Sequence, residues 1–190
     1  GAADMAESLA LLRLAQQQGI SHMVATPHVQ SGYYDNTVHS IGAALQSLRV
    51  AAAGEGINVQ LAAAAELRVE PQLIQLAERK ALPLLGHYQG DKLLLLEFPH
   101  SHIPAGADRL VKWLLGKQVL PMIAHPERNR DVQTDLKKLL PFQRMGCLLQ
   151  LTASSVLGDM GESSKETALL LLQQKAFHIV ASDSHNLQRR

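Results

Sequence analysis

Short apolar runs alternate along this chain with longer stretches whose apolar positions recur every three or four residues, the periods of buried strands and amphipathic helices respectively. Residues 6–18 place Leu9, Leu12 and Ala15 at helical spacing, with Asp4 available as a cap and Gly19 as the stop. Residues 20–25 then read as a strand, 37–54 as a long helix and 59–64 as a strand of small apolar residues. Pro71 opens a short helix through Glu78, and 93–98 is a strongly apolar strand. Residues 107–115 put Leu110, Trp113 and Leu114 on one helical side, which makes Trp113 a core residue rather than a ligand contact. The pattern closes with a strand at 119–124, a helix at 131–145, a strand at 147–151, a helix at 165–174 and a strand at 177–181. Six strands in alternation with helices predict an α/β fold with a parallel sheet and right-handed crossovers. Candidate ligands end at least five of these strands, which favours a closed barrel converging them on one centre over an open sheet.

Composition narrows the picture further. A chain of 190 residues, 46% of them hydrophobic, supports one domain with a full core. A formal net charge of +1, with no dense basic run before Arg189-Arg190, leaves no electrostatic footprint for nucleic acid. The single cysteine, Cys147, excludes an intramolecular disulfide, and no stretch approaches the ~20 apolar residues of a membrane span. A cytoplasmic protein fits these features. Gly1-Ala2-Ala3-Asp4 resembles no signal peptide and carries no initiating methionine, so the chain is expected to begin part-way into its gene product.

The chemistry gathers at strand ends. Met23-Val24-Ala25 runs into Thr26-Pro27-His28, the strand at 119–124 into His125, and the strand at 177–181 into Asp183 and His185. With Glu66 and Glu97 these make three imidazoles and three carboxylates, enough for more than one ion. A donor set of nitrogen and oxygen without thiolate suits borderline-to-hard divalent ions such as Mn, Fe or Zn. Such ions generate hydroxide near neutral pH and clamp the oxygens of an in-line displacement, which is phosphoester hydrolysis. Three dications would outweigh the three carboxylates and leave a cavity that attracts a phosphate dianion.

Glu97 is the hardest of the six to explain otherwise, because a carboxylate ending Leu93-Leu94-Leu95-Leu96 is costly unless paired or metal-bound. Glu66 is weaker alone, since Glu66-Leu67-Arg68 also fits an exposed turn. Arg128, three residues past His125, can serve as a planar fork for phosphate or as a surface cation. His22 and His178 read as packing residues within strands, His39 as a helix-face residue and His87 as a loop residue, all without a role. His100 and His102 can line the mouth of a site, and Tyr33 with Tyr34 can form an aromatic lip beside His28. Nucleophile schemes fail: Cys147 is not followed by the arginine of a phosphate-cradling loop, and no Gly-x-Ser-x-Gly elbow or Gly-rich P-loop occurs.

Taken together, Thr26-Pro27-His28, Ala65-Glu66-Leu67, Leu95-Leu96-Glu97-Phe98-Pro99, Ala124-His125-Pro126-Glu127-Arg128-Asn129, Leu151-Thr152-Ala153-Ser154-Ser155 and Ala181-Ser182-Asp183-Ser184-His185-Asn186-Leu187 resemble the CpsB/CapC/YwqE family. These are bacterial manganese-dependent protein-tyrosine phosphatases of the polymerase-and-histidinol-phosphatase (PHP) superfamily. The resemblance implies a distorted (β/α)7 barrel and a trinuclear Mn2+ centre, with Fe, Co or Zn as alternatives. It also implies a role in capsule or exopolysaccharide synthesis, with the tyrosine-rich tail of a bacterial tyrosine kinase as substrate and partner. By the same resemblance Glu66 bridges two ions, Asp183 binds one of them, Glu97 and His125 bind the other, and His28 and His185 hold a third. Arg128 and Arg190 match arginines that hold the substrate phosphate.

Family members open with a strand carrying Asp-x-His-x-His, which this chain lacks, and continue into a C-terminal helix beyond Arg190. The expectation is a single PHP-type domain truncated at both ends, its first strand missing. The ion held by Glu66, Glu97 and His125 would keep its full protein shell, and those at Asp183 and His28 would bind poorly. Another PHP phosphoesterase such as histidinol phosphatase, or a non-catalytic regulatory module, stands as the alternative. Oligomeric state leaves no trace in the pattern.

Overall fold

Asp4 starts the first helix by accepting the Glu7 N–H at 2.8 Å, satisfying a donor that has no partner inside the helix. The computed structural model describes residues 2–187. These fall into two compact units, one of residues 2–65 with 183–187 and one of residues 66–182.

In the first unit, α1 (Met5–Gln17) turns Leu9, Leu12 and Ala15 inward and ends before Gly19, whose φ of +83° suits a residue without Cβ. Two short strands follow, β1 (His22–Ala25) and β2 (His28–Val29). Thr37 and Ser40 form a reciprocal capping box that opens α2 (Val38–Gly54), and β3 (Gln60–Ala63) pairs in parallel with β1. Leu9, Leu12, Ala52, Ile57 and Val59 form the buried core of this unit, with Met23, Leu48, Ala51 and Leu61 packed against it.

The second unit runs through β4 (Glu66–Arg68), α3 (Gln72–Glu78), β5 (Gly86–Tyr88), β6 (Asp91–Glu97), α4 (Ala107–Leu115) and β7 (Val119–Ala124). It continues through α5 (Arg130–Thr134), α6 (Leu140–Arg144), β8 (Leu148–Thr152), α7 (Ala153–Leu157), α8 (Glu162–Gln173) and β9 (Ile179–Ala181). Strands β4, β6, β7, β8 and β9 lie side by side in that order, all parallel, and β5 pairs antiparallel with β6. This is a mixed α/β fold with a mainly parallel sheet. Both faces of the central strands are buried, as parallel strands require. Leu94, Leu96, Ile123 and Leu149 point to one face, and Leu95, Leu120, Met122, Ala124 and Leu148 cluster on the other. Each fully buried aliphatic side chain of this kind contributes about 1.5–3 kcal/mol.

Several expectations need correction. Residues 131–145 do not form one helix: Asp135 is extended, with its side chain accepting the Lys137 N–H, and a 3-10 turn at Leu136–Leu139 separates α5 from α6. Asp favours such local capping over helix interiors, and Pro141 has no N–H to continue the ladder. Strands β2, β4 and β5 and helix α7 were not expected, being too short for a period to show. His87 therefore lies in β5, not in a loop. On α4 the buried face is Ala107, Val111 and Leu114, and Trp113 is half-buried with the Lys117 ammonium 4.7 Å from its ring centroid. His22 and His178 are exposed rather than packed, although the Leu149 N–H donates to His178 Nδ1 at 3.1 Å. Among the described residues no helix is long and apolar enough to cross a membrane.

Candidate metal site

Strand alternation sets up the site in the second unit. Glu66 and Arg68 are two residues apart on β4, and their partners across the ladder are Leu95 and Glu97 on β6. Side chains at i and i+2 share a face. Glu66, which opens β4, and Arg68 and Glu97, which end β4 and β6, therefore share the face of the Leu95–Met122–Ala124 cluster.

His125 would fall on the opposite face if β7 continued by one residue. It does not continue. His125 adopts φ +30°, ψ 55°, in the left-handed region that costs a non-glycine residue of order 1–3 kcal/mol. There its Nε2 lies 2.8 Å from Glu66 Oε1 and 3.9 Å from Glu97 Oε1. The three residues are buried, at 4%, 2% and 5% exposure for Glu66, Glu97 and His125. Burial, followed by the charge of Glu66, pushes the Glu97 carboxyl up to about 7.

The turn after His125 is braced from three sides. The fully buried Glu127 accepts the Thr152 N–H at 3.1 Å and the Ser155 hydroxyl at 2.8 Å through Oε1, tying the turn to the end of β8. Burial raises the pKa of this carboxyl, against the lowering effect of the Ser155 bond. Asn129 caps α5 by accepting from the Asp131 and Val132 N–H groups, and its Nδ2 donates to the Pro99 carbonyl at 2.7 Å. The Arg130 N–H donates to the His100 carbonyl at 2.8 Å. The segment after Glu97 and the segment after His125 are thus stapled together.

His100 and Arg128 stand at the exposed side of this cluster. Arg128 Nη2 lies 3.5 Å from His100 Nε2, and the His100 ring centroid is 5.7 Å from that of His125. Donor atoms of Glu97, His100 and His125 all fall within 4.8 Å of one another. Partial burial, then Arg128 and His125, lower the His100 pKa to about 4, which leaves its imidazole neutral and able to coordinate. In the first unit, the His28 and His185 rings are 6.3 Å apart, and Tyr34 lies 5.3 Å from His28. His185 Nδ1 is 2.8 Å from the Asp183 carbonyl oxygen and 3.9 Å from its Oδ1, and Asp183 also adopts a positive φ, +51°. Arg190 lies outside the described residues.

The donor chemistry fits a divalent ion. Two buried carboxylates, with the charge of Glu66 helping to raise the proton affinity of Glu97, an imidazole nitrogen beside them and no sulfur, make a nitrogen-and-oxygen donor set suited to a divalent ion. Glu66 is a buried strand residue, not part of an exposed turn. Two contributors were given no role from the sequence: Arg68 was signalled only by its i+2 spacing from Glu66, and nothing in the local pattern marked Glu127 as fully buried. His100, expected as able to line the mouth of a site, has a donor atom within 4.8 Å of those of Glu97 and His125.

A mainly parallel α/β fold with carboxylates and an imidazole gathered at strand ends can hold a divalent ion at one end of its sheet. Residues 1–190 match the family described as "Capsular polysaccharide synthesis, CpsB/CapC", and the chain belongs to this family. It is 35% identical over 191 residues to the tyrosine-protein phosphatase YwqE of Bacillus subtilis, the match covering 100% of this chain and 74% of that protein. To the tyrosine-protein phosphatase CpsB of Streptococcus pneumoniae it is 28% identical over 193 residues, covering 97% and 76%. A solved chain from crystal structures of YwqE from Bacillus subtilis and CpsB from Streptococcus pneumoniae, described as unique metal-dependent tyrosine phosphatases, superposes with a TM-score of 0.90 at 33% identity. That match covers 100% of this chain and 75% of the other.

Proposed function

We propose that this chain is a metal-dependent protein-tyrosine phosphatase of capsular polysaccharide synthesis, acting on the tyrosine-rich tail of a bacterial tyrosine kinase, with Mn2+ as the ion. On this reading the parallel sheet belongs to a distorted (β/α)7 barrel of PHP type. The observation that carries it is the buried cluster of Glu66, Glu97 and His125, in a chain whose relatives are tyrosine-protein phosphatases.

Glu66, Glu97 and His125 hold one ion, His28 and His185 are the donors for another, and Asp183 contributes to a third. Ions bound there lower the pKa of water and offset charge on the phosphoryl oxygens. The chain's own groups do the rest. Arg128, half-buried beside the cluster, offers a guanidinium fork to the phosphate. The two carboxylates and His125 are fixed before substrate arrives, so no reorganisation is needed as charge develops. Water adds to phosphorus, the bond to the tyrosine oxygen breaks, and tyrosine and inorganic phosphate leave.

The test is release of phosphate from a phosphotyrosine peptide by metal-stripped protein. Activity restored by Mn2+ and abolished again by EDTA is expected. Turnover of histidinol phosphate in preference to the peptide, or no turnover of either with Mn2+ bound, would contradict the proposal.

A further inference from the structure

We propose that Arg68 is a positioning residue of the metal site: its guanidinium takes one oxygen of Glu97, leaves the other to the ion, and keeps the carboxylates assembled when no ion is bound. This rests on the metal-site reading above. Arg68 and Glu97 are direct partners in the β4–β6 ladder, so the same backbone hydrogen bonds that form the sheet set their approach. Arg68 Nη2 lies 3.0 Å from Glu97 Oε2, while Glu97 Oε1 faces His125 Nε2. The two oxygens of one carboxylate are divided between an arginine and the donor cluster.

The surroundings make this division durable. Glu97 is buried and the Arg68 side chain is 21% exposed, so the pair is screened from water on the carboxylate side. Arg68 Nε is buried with no hydrogen-bond partner among the described residues, which makes Glu97 the acceptor that fixes the guanidinium. A carboxylate with one oxygen occupied cannot rotate to chelate an ion through both, so Arg68 sets how Glu97 presents itself. Outer partners of ligating carboxylates typically change metal affinity about 10–100-fold. Lysine can supply the charge but not the rigid planar fork.

The experiment is Mn2+ titration calorimetry with thermal melts on wild type, Arg68→Met and Arg68→Lys, followed by kcat and KM at saturating Mn2+. Arg68→Met is expected to weaken Mn2+ binding about tenfold or more and to lower kcat with KM little changed, with Arg68→Lys recovering part of the loss. Wild-type Mn2+ affinity in Arg68→Met, whatever its melting temperature, would overturn the proposal by reducing Arg68 to a structural ion pair. If Arg68→Met fails to fold, Arg68→Lys decides: weaker Mn2+ binding supports the inference and unchanged binding overturns it. A wild type that takes up no Mn2+ would sink the function proposed above together with this inference, whereas failure at Arg68 alone leaves that function standing.

Discussion

The donors of the second unit and those of the first are held very differently. Glu66, Glu97 and His125 are buried and carried on paired strands or on a turn that Glu127, Asn129 and Arg130 tie down. Asp183 and His185 lie on irregular chain after β9, with side chains 14% and 22% exposed. Water still reaches the latter and screens their charge, whereas the former depend on a counter-ion. The cluster in the second unit is therefore the preorganised one, and its removal should be felt most.

His125→Ala tests this at its strongest point. It should lower kcat/KM by more than about 100-fold, beyond the range typical of outer partners of ligands, and remove one Mn2+ from the bound complement measured by elemental analysis. His185→Ala should leave the ion at Glu66, Glu97 and His125 in place. Equal losses of that ion in both variants would erase the distinction between the two regions.

Glu127→Ala comes next. It strips the Thr152 N–H and the Ser155 hydroxyl of their buried acceptor, at about 1–3 kcal/mol, read as a melting shift of ~2–4 °C per kcal/mol. Glu127→Gln keeps an acceptor oxygen and should cost less, because burial already disfavours the ionised carboxyl. A Gln variant as unstable as the Ala variant would show that the charge, not the hydrogen bonds, braces the turn.

Thr37→Ala acts on the first unit alone. Losing the capping box of α2 should cost about 1 kcal/mol in a denaturant melt and leave Mn2+ binding at the His125 cluster unchanged. Smallest of all is the effect of thiol reagents on native protein. Cys147 is buried, which pushes its thiol up to about 12, so labelling should appear only on unfolding.

How much of this could be read from the chain depended on the length of each signal. Asp4 marks a helix start because a capping oxygen beside an amphipathic run has few other meanings, and it does cap; Thr37, read as the first residue of the second helix, is its cap instead. Glu97 stood out because a carboxylate ending four leucines must be compensated. The three-residue strands β4 and β5 carry too few positions for a period to emerge, so Arg68 received no role and His87 was placed in a loop. His125 was legible as a residue after a strand, but the left-handed turn that swings it toward Glu66 is a product of tertiary bracing. Burial of Glu127 is likewise decided by Thr152 and Ser155, 25 and 28 residues away. The break in 131–145 is made by Asp135, whose side chain takes the Lys137 N–H, and by Pro141, which has no N–H to carry a helix through.

The most direct test is anomalous diffraction at the manganese edge from crystals of the protein grown with Mn2+. The account predicts a peak within bonding distance of His125 Nε2 and one oxygen each of Glu66 and Glu97. A map without that peak, with His125 still paired to Glu66 in its place, would contradict it.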